Sequence, residues 1–265
     1  MQSNMQLYHS WPCGHSAVAL IGLHEKGLNF DSRYVDLPAL EQYSPQFLAL
    51  NPQGQVPVLC HNGAVISETT ALLEYLEEAF PTPCLMPADA VGRWRVRVWG
   101  KMLNEDIAPS VSLLAWHKWT LPTLGHDGGR EKLRAAAQAI PIGERRAQWT
   151  LAMDEADLAE PLQYSTYKLR VAVSRLEKDL AHHAWLSGSQ YSLADIYLFP
   201  MFVVLPRLLP EFVNSSATPR TLAWLAAVRS RPAVDAALST RPAGAALPAD
   251  PLHMFVPGPE HVRWG

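Results

Sequence analysis

The chain has 265 residues, 48% of them apolar and only 18% charged, with a net charge of -3. That length suits two domains that each bury a core, and the composition excludes both a disordered chain and an electrostatic nucleic-acid binder. No run approaches the roughly 20 consecutive apolar residues of a membrane span, and Met1 to Gln6 is polar, without the apolar centre of a secretory signal, so a cytoplasmic protein that engages neither nucleic acid nor membrane is expected.

Met5 to Tyr8 predicts a short strand. After the irregular His9-Ser10-Trp11-Pro12-Cys13-Gly14, residues Ala17, Leu20, Ile21 and His24 share a helical face, and Gly27 supplies a left-handed stop. Phe30 to Val35 predicts a second strand, and Leu40 to Leu50 a loop and helix of poor periodicity. Val58 to Cys60 and Ala64 to Ile66 flank Asn62-Gly63, the dipeptide of a tight hairpin. Ala71, Leu72, Tyr75, Leu76 and Phe80 then space a helix over Thr70 to Phe80, which Pro81 and Pro83 stop. The order is βαβαββα.

Beyond Ala90 the strand signals give way to long helical patterns as far as Leu238. The expected organisation is an α/β domain over 1–82, a linker over 83–89, an all-helical domain over 90–240 and a Pro-, Gly- and Ala-rich tail over 241–265. The three cysteines, Cys13, Cys60 and Cys84, have neither metal-ligand nor redox-pair spacing. Structural zinc, a disulfide framework and, with no glycine-rich phosphate loop, a nucleotide fold lose their support.

Two segments carry chemistry. In Asn51-Pro52-Gln53-Gly54-Gln55-Val56-Pro57-Val58-Leu59 a proline directly precedes a strand; a cis Val56-Pro57 bond fits that geometry and turns the Val56 N–H and C=O outward, where an extended peptide can pair with them, although taken alone such a proline more often makes a plain turn. Ser67-Glu68-Thr69 stands at the N-terminus of a buried helix. Its amides and the Thr69 hydroxyl can seat a carboxylate, or simply cap the helix. Farther on, Ser192 and Asp195 in Tyr191-Ser192-Leu193-Ala194-Asp195-Ile196 have capping-box spacing.

Together these segments resemble the glutathione site of the glutathione transferase superfamily, and the capping box resembles that of its core helix. The resemblance implies a thioredoxin-like N-terminal domain followed by a helical domain, with glutathione as co-substrate, and a homodimer. Within the superfamily the chain is most similar to the bacterial LigF-type β-etherases of lignin degradation. His24-Glu25-Lys26-Gly27-Leu28, Glu41-Gln42-Tyr43-Ser44, Asn51 to Leu59, Ser67 to Phe80, Arg97-Val98-Trp99 and Ile140-Pro141-Ile142 with Trp149 carry that similarity. It implies attack by glutathione thiolate on the β-carbon of an α-keto aryl ether, giving a glutathione conjugate and a phenol. It also implies roles for Val56, Pro57, Glu68 and Thr69 in holding glutathione, with Gln42 and Gln55 contributing. A substrate pocket between the domains would draw on Trp116, Ile142 and Trp149, with Trp119 a further candidate.

The thiol needs help to ionise near neutrality, and a helix N-terminus with a hydrogen-bond donor supplies it. Ser16 falls on the serine of the β-etherases and is the first choice, although it could equally cap a helix beginning at Ala17. His15 stands where those enzymes carry Asn, so it could donate to sulfur, line the substrate site or rest in the loop. Cys13 lies near the catalytic cysteine of omega-type transferases, in the order Pro12-Cys13 rather than Cys-Pro; it keeps thiol exchange open. Another transferase specificity and a non-catalytic glutathione- or ligand-binding protein are the remaining alternatives.

Overall fold

The computed structural model describes residues 5–37, 39–123, 129–153 and 158–242. Four strands form one sheet in the order β2-β1-β3-β4. They are β1 (Met5–His9), β2 (Asp31–Tyr34), β3 (Val58–His61) and β4 (Ala64–Ile66). β1 runs parallel to β2, with Leu7 opposite Ser32, and antiparallel to β3, with Leu7 opposite Leu59. The β3–β4 hairpin turns on Asn62 and Gly63 at φ 50° and 84°, the double left-handed geometry that this dipeptide favours. β2 is shorter than its sequence pattern, because Phe30 and Val35 lie outside the strand.

Helix α1 (Gly14–Glu25) begins three residues before Ala17, so Cys13, not Ser16, is its N-cap. The expected one-sided burial is also too narrow, since every residue from Ser16 to Leu23 is buried. The cause is tertiary. α1 packs against α3 (Thr69–Ala79) and against α10 (Leu193–Phe202) and α13 (Pro232–Leu238) of the helical half. Leu73 approaches so closely that a Cβ on Gly22 would lie 3.0 Å from its Cγ. Between α1 and the hairpin, a 3-10 turn (Glu41–Tyr43) leads into α2 (Pro45–Leu50), whose cap is the Ser44 hydroxyl accepting from the Phe47 amide.

Two polar ties fasten the α/β half, one to the connection that follows it and one to the helical half. Lys26 Nζ donates to the Phe80 and Pro83 carbonyls at 2.8 and 2.6 Å and pairs with Glu77, which accepts in turn from the Leu85 and Met86 amides. Arg231 forks onto Glu25 at 2.6 and 2.8 Å, a bidentate pairing that fixes α13 to the end of α1.

The helical half opens with α4 (Ala90–Met102), α5 (Ala108–Ala115) and α6 (Leu121–Thr123), joined by π turns at Leu103–Ile107 and Trp116–Thr120. α7 (Gly129–Gln138), α8 (Gly143–Met153) and α9 (Ala159–Asp179) follow, then α10, α11 (Leu205–Leu208), α12 (Pro219–Arg229) and α13. The capping box at α10 forms as expected: Ser192 Oγ accepts from the Ala194 amide, and Asp195 accepts from the Ser192 amide at 3.0 Å. Buried Asp195 also accepts from Trp224 Nε1 at 2.8 Å and the Leu186 amide at 3.1 Å, so one carboxylate satisfies donors from three segments. The main hydrophobic core runs without a break from Leu7 and Leu20 to Phe199 and Val234. Residues 243–265, most of the expected tail, lie outside the described residues.

Candidate functional site

The sheet delivers the end of β1 to the start of α1. Ser16, in the first turn of α1, is buried, and its Oγ accepts from the Ser10 amide at 3.2 Å. An oxygen that accepts one bond still has its own proton to give. Next to it, His15 Nδ1 lies 3.2 Å from Thr69 Oγ1, tying the first turn of α1 to that of α3. Burial pushes the His15 imidazole down from the ordinary 6.5 to about 4, so the ring is neutral near pH 7. Cys13 faces the opposite constraint. Burial pushes its thiol up to about 12, leaving it protonated where a nucleophile needs thiolate.

At the head of α3, Glu68 rather than Thr69 occupies the cap position, and its side chain makes no capping bond. Its backbone sits at φ 63° and ψ 104°, a left-handed geometry that costs a non-glycine residue about 1–3 kcal/mol and concentrates at ligand clamps. Glu68 is exposed while Thr69 is buried. The first-turn amides therefore open beside the exposed Glu68 and a hydroxyl already positioned by His15.

The loop before β3 has the expected cis Val56–Pro57 bond. Asn51 organises it, its side-chain amide donating to the Gln55 carbonyl at 2.8 Å and its oxygen accepting from the Gln53 amide. The Val56 side chain packs on Val35, Phe47 and Val58, which leaves its backbone as the group offered at the loop. Gln42 is buried at 6% exposure, and its Oε1 has no hydrogen-bond partner among the described residues. Such an acceptor costs about 1–3 kcal/mol unless a ligand donor meets it.

Trp116, Ile142 and Trp149 come together from the second π turn, the α7–α8 connection and α8. They pack on Ala137, Ile140 and Met153 in a cluster separate from the main core, with the two indoles edge to face at 5.4 Å. Trp119 goes elsewhere, onto the main core, because it lies on another side of the π turn. The cluster has a member that sequence reasoning did not single out. Tyr43, from the 3-10 turn of the α/β half, packs into it. The same ring crowds Gly54, where a Cβ would fall 2.7 Å from Tyr43 Cε1, so one side chain touches both the Val56–Pro57 loop and the aromatic cluster. A second aromatic pair, Trp11 edge to face on Tyr34 at 5.9 Å, stands just before α1.

Residues 12–79 match the glutathione S-transferase N-terminal domain and residues 146–232 the C-terminal domain. Protein LigF of Sphingobium sp. (strain NBRC 103272 / SYK-6) is 35% identical over 87% of this chain and 91% of its own. The chain belongs to the glutathione S-transferase family. The likeness extends to coordinates. The crystal structure of beta-etherase LigF from Sphingobium sp. strain SYK-6 superposes with a TM-score of 0.78 at 34% identity, covering 89% of this chain and 98% of that one. A holo structure of maleyl pyruvate isomerase, a bacterial glutathione S-transferase in zeta class, gives 0.64 at 29% identity, covering 91% and 100%. Glutathione is the co-substrate of the family, and the α/β half is its thioredoxin-like N-terminal domain.

Proposed function

We propose that this glutathione transferase cleaves β-aryl ethers that carry a neighbouring ketone. The glutathione thiolate attacks the β-carbon; a C–S bond forms as the C–O bond breaks, and the electron pair leaves on the phenolate, which takes a proton from solvent. The ketone lowers the barrier and a phenolate is a tolerable leaving group, so the protein's share is positioning and anion stabilisation. In this reading the Ser16 hydroxyl and the amides of the first turn of α1 hold the thiolate. The Val56 backbone pairs with the cysteinyl unit, Glu68 and Thr69 hold the γ-glutamyl end, and Gln42 with Gln55 serves the glycyl end. His15 acts by holding Thr69. The aromatic ether lies against Trp116, Ile142 and Trp149.

The observation that carries the reading is the likeness to the beta-etherase LigF over nearly the whole chain. The assembly of the two indoles and Ile142 beside a loop of the thioredoxin-like domain agrees with it, since apolar and aromatic walls suit an aromatic ligand. Thiol exchange through Cys13 is disfavoured by the upward push on that thiol. Incubation of the protein with glutathione and an α-keto β-aryl ether should release free phenol and the conjugate in equal amounts. No phenol, with glutathione bound, would sink the assignment and leave another specificity or a binding role. The proposal includes a homodimer, for which Tyr164, Tyr167 and Val171, an exposed stripe along α9, offer an apolar face; a monomer in sedimentation equilibrium removes that part.

A further inference from the structure

We propose that His9, a residue that need not touch glutathione, is a positioning residue for the thiolate, acting through Ser10 on the Ser16 hydroxyl. The inference rests on the proposed role of Ser16. Its basis is a run of buried polar contacts behind the first turn of α1. His9 ends β1 with 1% of its surface exposed, and both ring nitrogens are engaged: Nδ1 lies 2.6 Å from the Ser10 carbonyl oxygen and Nε2 2.7 Å from Ser32 Oγ. A carbonyl can only accept, so Nδ1 carries the proton. Burial pushes the His9 pKa down, which keeps the ring neutral and leaves Nε2 to accept from the Ser32 hydroxyl.

Two consecutive peptide groups are thereby fixed. The peptide joining His9 to Ser10 has its oxygen taken by the Val35 amide at 2.8 Å and its N–H by Ser16 Oγ at 3.2 Å. The next carbonyl, that of Ser10, is taken by the His9 ring. With the Ser10 amide occupying one side of Ser16 Oγ, the hydroxyl proton is turned to the other side, and its direction depends on where Ser10 is held. Removing the ring frees the Ser10 carbonyl and lets the chain leaving β1 rotate. The Ser10 amide then drifts from Ser16, and the hydroxyl loses its preferred orientation.

The test reads the pKa of glutathione bound to the full chain, from the ultraviolet absorbance of the thiolate as pH is raised. Ser16→Ala should raise that pKa, and His9→Leu should raise it by about half a unit or more, the size expected when one supporting hydrogen bond is weakened. In the Ser16→Ala background His9→Leu should add nothing. His9→Asn, whose amide can still donate to the Ser10 carbonyl, should restore most of the wild-type value, which a mere packing defect would not allow. Ser32→Ala, a change at an exposed position, should move the pKa in the same direction by less and serves if His9→Leu does not fold. A shift with Ser16→Ala but none with His9→Leu or Ser32→Ala overturns the role of His9 alone, as do shifts that add in the double variant. An unmoved pKa in Ser16→Ala overturns both the serine assignment and this inference.

Discussion

The burial of His15 beside Thr69 predicts a specific pH dependence of stability. His15 is held near pKa 4 in the folded chain, against about 6.5 for an unfolded imidazole. Because the folded value is depressed, the unfolded chain binds more protons between the two. The stability is complete above about pH 6.5 and is lost as pH falls towards the folded value. The whole interval corresponds to an upper bound of about 3 kcal/mol, and by about pH 5 some 2 kcal/mol would be gone. Partial exposure of the ring reduces this to about 1–2 kcal/mol. His15→Asn has no such proton to bind. Urea unfolding of both proteins at about pH 7.5 and 5 should therefore show the wild type losing about 1–2 kcal/mol more than the variant over that interval. Equal losses would mean that the imidazole is as well solvated folded as unfolded, and the picture of a neutral His15 holding Thr69 would fail.

Three further outcomes follow from the site. Ser16→Ala should lower turnover about 10–100-fold with some activity surviving on the α1 amides, while Cys13→Ser leaves ether cleavage within about twofold; steady-state rates of phenol release check both, and loss confined to the cysteine variant would reverse the assignment. Glu68→Ala should weaken glutathione binding at least about tenfold, the loss expected for a charge-assisted contact, with the helical domain still folded; calorimetric titration and far-ultraviolet circular dichroism measure the two. Ser192→Ala should cost about 0.5–2 kcal/mol of stability without a defect in the chemical step, a pattern that denaturation curves beside single-turnover rates would expose.

What was legible in the sequence was local or patterned over a few residues. The Ser192–Asp195 box spans four positions, and its partners lie within its own first turn, so spacing alone foretold it. The same holds for the Asn62-Gly63 hairpin and for Pro57 before a strand. The helix containing Ser16 shows where local reading stops. Its true start at Gly14 and its burial on all faces depend on α10 and α13, elements about 180 to 220 residues away in the chain. The engagement of Ser16 with the Ser10 amide depends on how the chain leaves β1, and the segment His9 to Gly14 carries no periodicity to reveal it. Tyr43 was inside a recognised motif, yet nothing in a one-dimensional pattern joins it to Trp116 and Trp149. Gly54, eleven residues downstream, is just a glycine in the sequence, and its left-handed backbone and the ring beside it are seen only in the structure.

That glycine supports a last prediction, on the coupling between the glutathione loop and the aromatic cluster. Gly54 has φ 60°, where any side chain is strained, and its missing Cβ would overlap Tyr43 Cε1 at 2.7 Å and press the Gln42 carbonyl oxygen at 3.2 Å. Gly54→Ala therefore combines backbone strain with a collision, together about 1–3 kcal/mol. Relief requires the Tyr43 ring to swing away, and that ring also packs with Trp116, Ile142 and Trp149. The disturbance should reach the ether side as well as the glutathione side, raising KM for the aromatic substrate along with KM for glutathione. Tyr43→Leu removes the obstacle: Gly54→Ala in that background should cost only the backbone strain, so the two substitutions are non-additive by about 1 kcal/mol or more. Substrate KM values and denaturation midpoints for the two single variants and the double would establish the coupling. Strictly additive effects, or a rise in KM confined to glutathione, would show that Tyr43 fills space beside the loop without linking it to the aromatic wall.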